Sequence, residues 1–227
     1  MSLVFPRSSR RVFLTLVGAL LVAGGMVTVG VAYYATPAYT RVGYAPTQPV
    51  AFSHAQHVGQ LGLDCRYCHN HVGESPHSNV PSTQVCMNCH GPQWGNIKGT
   101  AASLAPLREA FAADRPLPWV KVHRVPDYAY FNHAVHVARG VSCVSCHGQI
   151  NEMPVVFHSK PLTMSWCLEC HRDPGPSLRP ADQVTNLEWT PATDPTFGGL
   201  GTQEQFIDHL ITNAGIMPPQ DCSGCHR

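Results

Sequence analysis

The chain has 227 residues, a formal net charge of +1 and 13% charged side chains, about half the usual share. That balance excludes a basic nucleic-acid stripe, and neither a nucleophile–base motif nor a Gly-rich phosphate loop is apparent. With 19 glycines and 20 prolines the chain is rich in turns, so a conventional core of long periodic elements is not expected.

Arg7, Arg10 and Arg11 precede an uncharged run from Val12 to Ala35. The run is long enough to span a bilayer with some tilt. A cleaved signal peptide is the competing reading, but its apolar region is normally about 7–15 residues, and the small-residue site at Gly30 and Ala32 is weak. An uncleaved anchor is therefore expected, with the arginines holding the N-terminus in the cytoplasm. Gly18, Gly24, Gly25 and Gly30 offer a packing face to other membrane helices. Pro37, Pro46 and Pro49 then mark a linker.

Five copies of Cys-x-x-Cys-His follow: Cys65/Cys68/His69, Cys86/Cys89/His90, Cys143/Cys146/His147, Cys167/Cys170/His171 and Cys222/Cys225/His226. They use all ten cysteines. Zinc sites, redox dithiols and five disulfides are the alternatives, but none requires histidine directly after the second cysteine. Histidine makes up 14 of 227 residues, so five such coincidences have odds of roughly one in a million. Each motif reads as a c-type haem attachment site, with two thioethers to the haem edge and the adjacent histidine as proximal iron ligand. Five covalently bound haems would replace much of the missing core. The expected fold is mainly α with extensive loops, a haem stack, one N-terminal transmembrane helix and almost no β-sheet. Attachment at such motifs is completed outside the cytoplasm, which agrees with the anchor's orientation.

The body is duplicated. Phe52-Ser-His54-Ala-Gln-His57-Val58 matches Phe131-Asn-His133-Ala-Val-His136-Val137 at an offset of 79. Cys65 matches Cys143 at 78, and His77 and Cys86 match His158 and Cys167 at 81. The organisation is 1–11 cytoplasmic N-terminus, 12–35 anchor, 36–51 linker, 52–100 first dihaem unit, 101–130 helix and crossover, 131–180 second dihaem unit, and 181–227 C-terminal segment with the fifth haem. Between the units, Ala101–Ala113 reads as an amphipathic helix with Leu104, Leu107 and Phe111 on one face. Arg172–Phe197 reads as a Pro-rich surface traverse, and Gln203–Asn213 as a second helix carrying Phe206, Ile207 and Leu210.

Low-spin haems need a second axial ligand, normally histidine or methionine. Nine histidines lie outside the motifs. His54, His57, His133 and His136 form two His-x-x-His pairs whose imidazoles leave nearly one helix face, so each member reaches a different haem. His77 and His158 share a nine-residue spacing to the next motif and are also expected as distal ligands. His71, His123, His209, Met217 and Met164 are further candidates. Met217 lies five residues before Cys222 and Met164 three before Cys167, so either would serve a neighbouring haem.

The unit Phe-x-His-x-x-His followed by Cys-x-x-Cys-His resembles the class III cytochromes c, the c3/c7 type. That resemblance implies that His54 serves the haem at Cys65/Cys68 and His133 the haem at Cys143/Cys146, while His57 and His136 bind haems elsewhere. Most of the chain also resembles the pentahaem, membrane-anchored subunit of bacterial alternative complex III. The stretches that carry this are Phe131–Gly148, Leu162–Pro174, Leu178-Arg179-Pro180 and Cys222–Arg227. It implies an electron-transfer subunit, without substrate chemistry of its own, on the periplasmic face of the cytoplasmic membrane. Its partners would be an iron–sulfur subunit, polytopic membrane subunits and a mono-haem cytochrome c, blue-copper carrier or oxidase as acceptor. A NapC/TorC-type membrane-anchored quinol dehydrogenase is the alternative, although the first motif continues Asn70-His71-Val72 without the methionine that type commonly carries. Catalysis at an open haem is a third class, disfavoured by nine spare histidines for five irons.

Overall fold

The computed structural model describes residues 6, 8–93, 95–194 and 202–226. Arg7 of the basic cluster, Phe197 with the rest of 195–201, and Arg227 lie outside the described residues. The chain divides into two units, 1–42 and 43–227.

In the first unit α1 runs Ser8–Tyr34 and α2 is the short turn Pro37–Thr40. α1 is long and apolar enough to cross a membrane, with a mean hydropathy of 2.3. None of its residues is buried; Leu20 and Leu21 are more than 70% exposed. An apolar surface this large has no counterpart in a soluble monomer. A Cβ added at Gly18, Gly24, Gly25 or Gly30 would meet nothing within 4 Å, and only Gly18 and Gly25, seven residues apart, share a side of the helix. Tyr33, Tyr34 and Tyr39 cluster at the end of α1, with ring centroids 5.1 to 6.1 Å apart. Tyrosines at this position suit a membrane–water interface.

The second unit is short helices joined by turns. It comprises a π-helical turn (Ala55–Gln60), α3 (Cys65–Cys68), α4 (Thr83–His90), α5 (Ala105–Ala112) and α6 (His133–Ala138). α7 (Cys143–His147), α8 (Met164–Arg172), α9 (Gln203–Ala214) and α10 (Cys222–Cys225) complete it. Among the described residues, sheet pairing is limited to two isolated bridges, Ala129 with His226 and Val141 with Leu178. The mainly helical, nearly sheet-free fold with one N-terminal apolar helix is as expected.

Two small apolar clusters hold this unit. One joins Val50, Met87, Leu107, Ala110 and Leu117, where α4 packs on α5. The expected helix at 101–113 starts later, after a 3-10 turn at Ala102–Leu104, because Pro106 fits the first turn of α5 and not an interior position. Its buried face is Leu107 and Ala110, while Phe111 is 38% exposed. The other cluster corrects the reading of Arg172–Phe197 as a surface traverse. Leu178, Val184, Leu187 and Trp189 from that stretch are buried, and Trp189 meets Phe206 of α9 at 5.3 Å. Ile207 packs so close to Gly175 that a Cβ there would lie 2.6 Å from it. α9 itself opens with a capping box from Thr202 and Gln205 and ends at Gly215 in the left-handed region (φ 57°).

Candidate functional site

Each Cys-x-x-Cys-His segment occupies a single helical turn. In α3 and α10 the histidine closes the turn, donating its backbone N–H to the first cysteine's carbonyl (His69 to Cys65, 2.8 Å; His226 to Cys222, 2.9 Å). Three turns are started by a side-chain cap: Asp64 accepts from Arg66 N, Thr163 from Trp166 N and Asp221 from Gly224 N. These caps escaped the sequence reading, although an Asp or Thr just before a helical turn is a readable signal. None of the ten cysteines is in a disulfide. Burial pushes the Cys146 thiol up to about 12. Cys143 is pushed up further by its hydrogen bond with Cys65 and by burial.

Four motif histidines are oriented by backbone carbonyls. The Nδ1–H of His69 donates to Asn79 O (2.6 Å), that of His171 to Pro219 O (2.6 Å), that of His226 to Tyr128 O (2.9 Å) and that of His90 to Ile97 O. Three His-x-x-His members do the same: His57 to Ser53 O (2.9 Å), His133 to Pro76 O (2.9 Å) and His136 to Asn132 O (2.7 Å). A carbonyl only accepts, so each ring must carry its proton on Nδ1 and present Nε2 as a lone pair. This is how metal-ligating histidines are held.

Facing rings complete the arrangement. His57 lies 6.3 Å from His90, His136 lies 6.2 Å from His171 and His133 lies 6.5 Å from His147, centroid to centroid. Two imidazoles bound through Nε2 to opposite sides of one metal, at bond lengths of about 2 Å, have centroids roughly 6–6.5 Å apart. The three pairs therefore have the right spacing for bis-histidine ligation of one iron each. A structural zinc site does not fit as well: among the described residues no three His, Cys, Asp or Glu side chains converge on one ion.

The centre of the unit is a cluster of half-buried histidines beside the buried His158. His147 is pushed down to about 3, by burial first and then by His123, His133, His69 and His54. His54 and His123 are each pushed down to about 4, again mainly by burial. Burial also lowers His133 and His136. Neutral imidazole is the metal-binding form. His54 Nδ1 and His123 Nε2 are buried without a hydrogen-bond partner, a costly state unless another group satisfies them. His123 sits 4.4 Å from His147 and 5.4 Å from His158, and His158 is 2% exposed.

Other expected positions are on the surface. His77 is exposed, His71 faces Glu74 at 3.6 Å, and His209 pairs with Asn213 on α9. Met164 and Met217 are 64% and 89% exposed. Large apolar side chains near the motifs also remain uncovered, among them Tyr67, Val80, Ile97, Val135 and Val155. A cavity of about 600 Å³ lies between Asn79–Val85 and Pro116–Trp119, within the range of cofactor-sized sites. Uncovered apolar surface beside oriented imidazoles and unbridged cysteines fits a flat, apolar, iron-bearing group.

A fold of short helices around repeated Cys-x-x-Cys-His turns is similar to the multihaem cytochromes c. Over 100 residues, 44% of its length, the chain is 32% identical to the multiheme cytochrome c subunit of menaquinone reductase from Nitratidesulfovibrio vulgaris. The chain spans less than half of that relative, 45%. No family model matches it.

Proposed function

We propose that this chain is a membrane-anchored pentahaem cytochrome c that relays electrons between a quinone pool and a periplasmic redox protein. The observation that carries the reading is the repeated set of Nδ1-anchored, facing imidazoles around Cys-x-x-Cys pairs that form no disulfides. Cys65, Cys68, Cys86, Cys89, Cys143, Cys146, Cys167, Cys170, Cys222 and Cys225 attach the haems. His69, His90, His147, His171 and His226 are the proximal ligands. His54 serves with His69, His57 with His90, His133 with His147 and His136 with His171. Buried His158 and half-buried His123 are better placed for ligation than exposed His77, His71, His209, Met164 and Met217.

Bound in this way, haem supplies a reversible one-electron couple. The chain's own residues fix its position: the carbonyls of Ser53, Asn79, Ile97, Tyr128, Asn132 and Pro219 lock the imidazole planes, and burial favours the neutral form of His54, His133, His136 and His147. α1 anchors the relay as a single pass, with Arg10 and Arg11 on the cytoplasmic side.

The assembly proposed is alternative complex III, in which quinol is oxidised and electrons leave through an iron–sulfur subunit and this chain. Similarity to a menaquinone reductase subunit favours a second reading, in which the same relay runs towards quinone. A NapC/TorC-type quinol dehydrogenase is a third arrangement, in which this chain meets quinol itself. Purification from membranes through a tag on this chain tests the set. Five covalent haems by pyridine haemochrome, all low-spin by EPR, are expected, together with iron–sulfur and polytopic subunits. Fewer haems would overturn the reading, and recovery of the chain alone would favour the NapC/TorC type. Reduction of the haems by added quinol, set against oxidation by added quinone, fixes the direction.

A further inference from the structure

Side-chain and backbone contacts join the five motif turns in an order that differs from their order in the sequence. The second turn meets the first: Asn88 Nδ2 donates to Tyr67 Oη at 3.4 Å, and Cys68 is an electrostatic neighbour of Cys86 and Cys89. The first meets the third: the His133 Nδ1–H donates to Pro76 O at 2.9 Å, just past the first motif, and the Cys65 and Cys143 sulfurs are neighbours. The third meets the fourth through His136 facing His171 and through Cys146 beside Cys170 and Cys167. The fourth meets the fifth through His171 bonding to Pro219 O, Gln220 Nε2 donating to His171 O at 3.4 Å, and Cys167 beside Cys225.

Exposure follows the same order. Cys89 of the second motif and Cys222 of the fifth are exposed, while the other eight cysteines are half-buried. The half-buried histidine cluster around His147 and His54 lies where the first and third motifs meet.

We infer that the five attachment turns form one row in the order second, first, third, fourth, fifth, whose ends at Cys86–His90 and Cys222–His226 are where outside redox partners are met. The two duplicated halves are joined head to head at Cys65 and Cys143, with the second and fourth turns outermost. The fifth turn lengthens the row on the fourth-motif side alone. This rests on the proposed haem attachment. Passage along the row is a one-electron exchange between a reduced donor protein at one end and an oxidised acceptor protein at the other. No bond is made or broken on the way.

The full chain, purified with its partner subunits, provides the test. Cys86→Ala with Cys89→Ala removes an end attachment, and Cys143→Ala with Cys146→Ala removes the middle one. The EPR g-values of one remaining haem shift in the first variant and of two in the second. Equal numbers, or the reverse, overturn the row. If the middle variant does not fold, the iron–iron separations in an experimental structure of the wild-type chain decide instead. The four shortest must join second to first, first to third, third to fourth and fourth to fifth; a short second–third or first–fifth separation sinks the order. Five covalent haems in another order would overturn the row and leave the haem reading standing, whereas fewer than five would end both.

Discussion

The two halves, Phe52–His90 and Phe131–His171, are the same site built on different scaffolds. Phe52 stacks on His57 at 4.4 Å and meets His54 edge-on at 4.8 Å. Phe131 stacks on His136 at 4.5 Å and meets His133 edge-on at 4.7 Å. The second histidine of each pair is locked to the carbonyl four residues back, and each faces the histidine of the second motif in its own half at 6.2–6.3 Å. The supporting structure differs. The first half uses a π-helical turn after His54, the second an α-helix capped by Asn132. The position before the first cysteine is exposed Asp64 in one half and buried Ser142 in the other. Duplication has kept the geometry that holds the rings and let the backbone and caps diverge. That pattern is expected if ring placement is under functional constraint and the scaffold needs only to be stable.

The strongest way to break this equivalence is at the rings. If the proposed ligation holds, His57→Ala and His136→Ala are each expected to convert one haem from low spin to high spin, seen by EPR and by the optical spectrum. Equal effects sharpen the comparison; a change in one variant alone would show that the halves differ in ligation.

The next effect is on stability. Gly62 and Gly140 occupy matching positions three residues before the first cysteine, both at positive φ (68° and 80°). A Cβ at Gly62 meets nothing within 4 Å, whereas one at Gly140 collides with the carbonyl oxygen of Arg179. Gly62→Ala carries only the left-handed strain, about 1 kcal/mol. Gly140→Ala adds overpacking against a fixed backbone, for a total of roughly 2–4 kcal/mol. Denaturant unfolding of the two variants measures the gap. A smaller loss follows at the caps: Asn132→Ala removes the acceptor for Val135 N and is expected to cost about 1 kcal/mol by the same measurement.

Much of this was legible in the sequence because the chemistry demands fixed spacing. The motifs, the Phe-x-His-x-x-His repeat and the α9 pattern at Phe206, Ile207 and Leu210 are periodic or repeated signals, and the fold follows them. The partners of the histidines were not legible. Asn79, Ile97, Tyr128 and Pro219 act through backbone carbonyls, which leave no mark in residue type. The core role of Leu178–Trp189 was hidden because its buried residues sit in turns and irregular segments that follow short 3-10 turns, without a helical or strand period. His77 and His158 match in sequence yet differ in burial, because the segments that cover them come from elsewhere in the chain. His158, for example, is tied to Gly43 and Tyr44, and its backbone carbonyl and N–H bond to that linker.

The smallest expected effect separates the halves by pH. Asp64 accepts from Arg66 N (2.8 Å), Arg66 Nε (3.0 Å) and Thr185 Oγ1 (2.9 Å). The Arg66 guanidinium bond, more than any other interaction, lowers its carboxyl from 3.8 to about 2. Since the folded value lies below the unfolded one, the contribution is complete above about pH 4 and is lost as pH falls through 2. Its side chain is 44% exposed, so solvent screening limits the gain to roughly 0.5–1 kcal/mol. Asp64→Asn retains a capping side chain but removes the charge, so the variant should lose this acid sensitivity while α3 still forms. Ser142 carries no charge, and Ser142→Ala should leave the acid limb of the stability profile unchanged. A stability profile between pH 5 and 2 that is the same for wild type and Asp64→Asn would mean that the charge at this cap contributes nothing and that the two halves are held by packing alone.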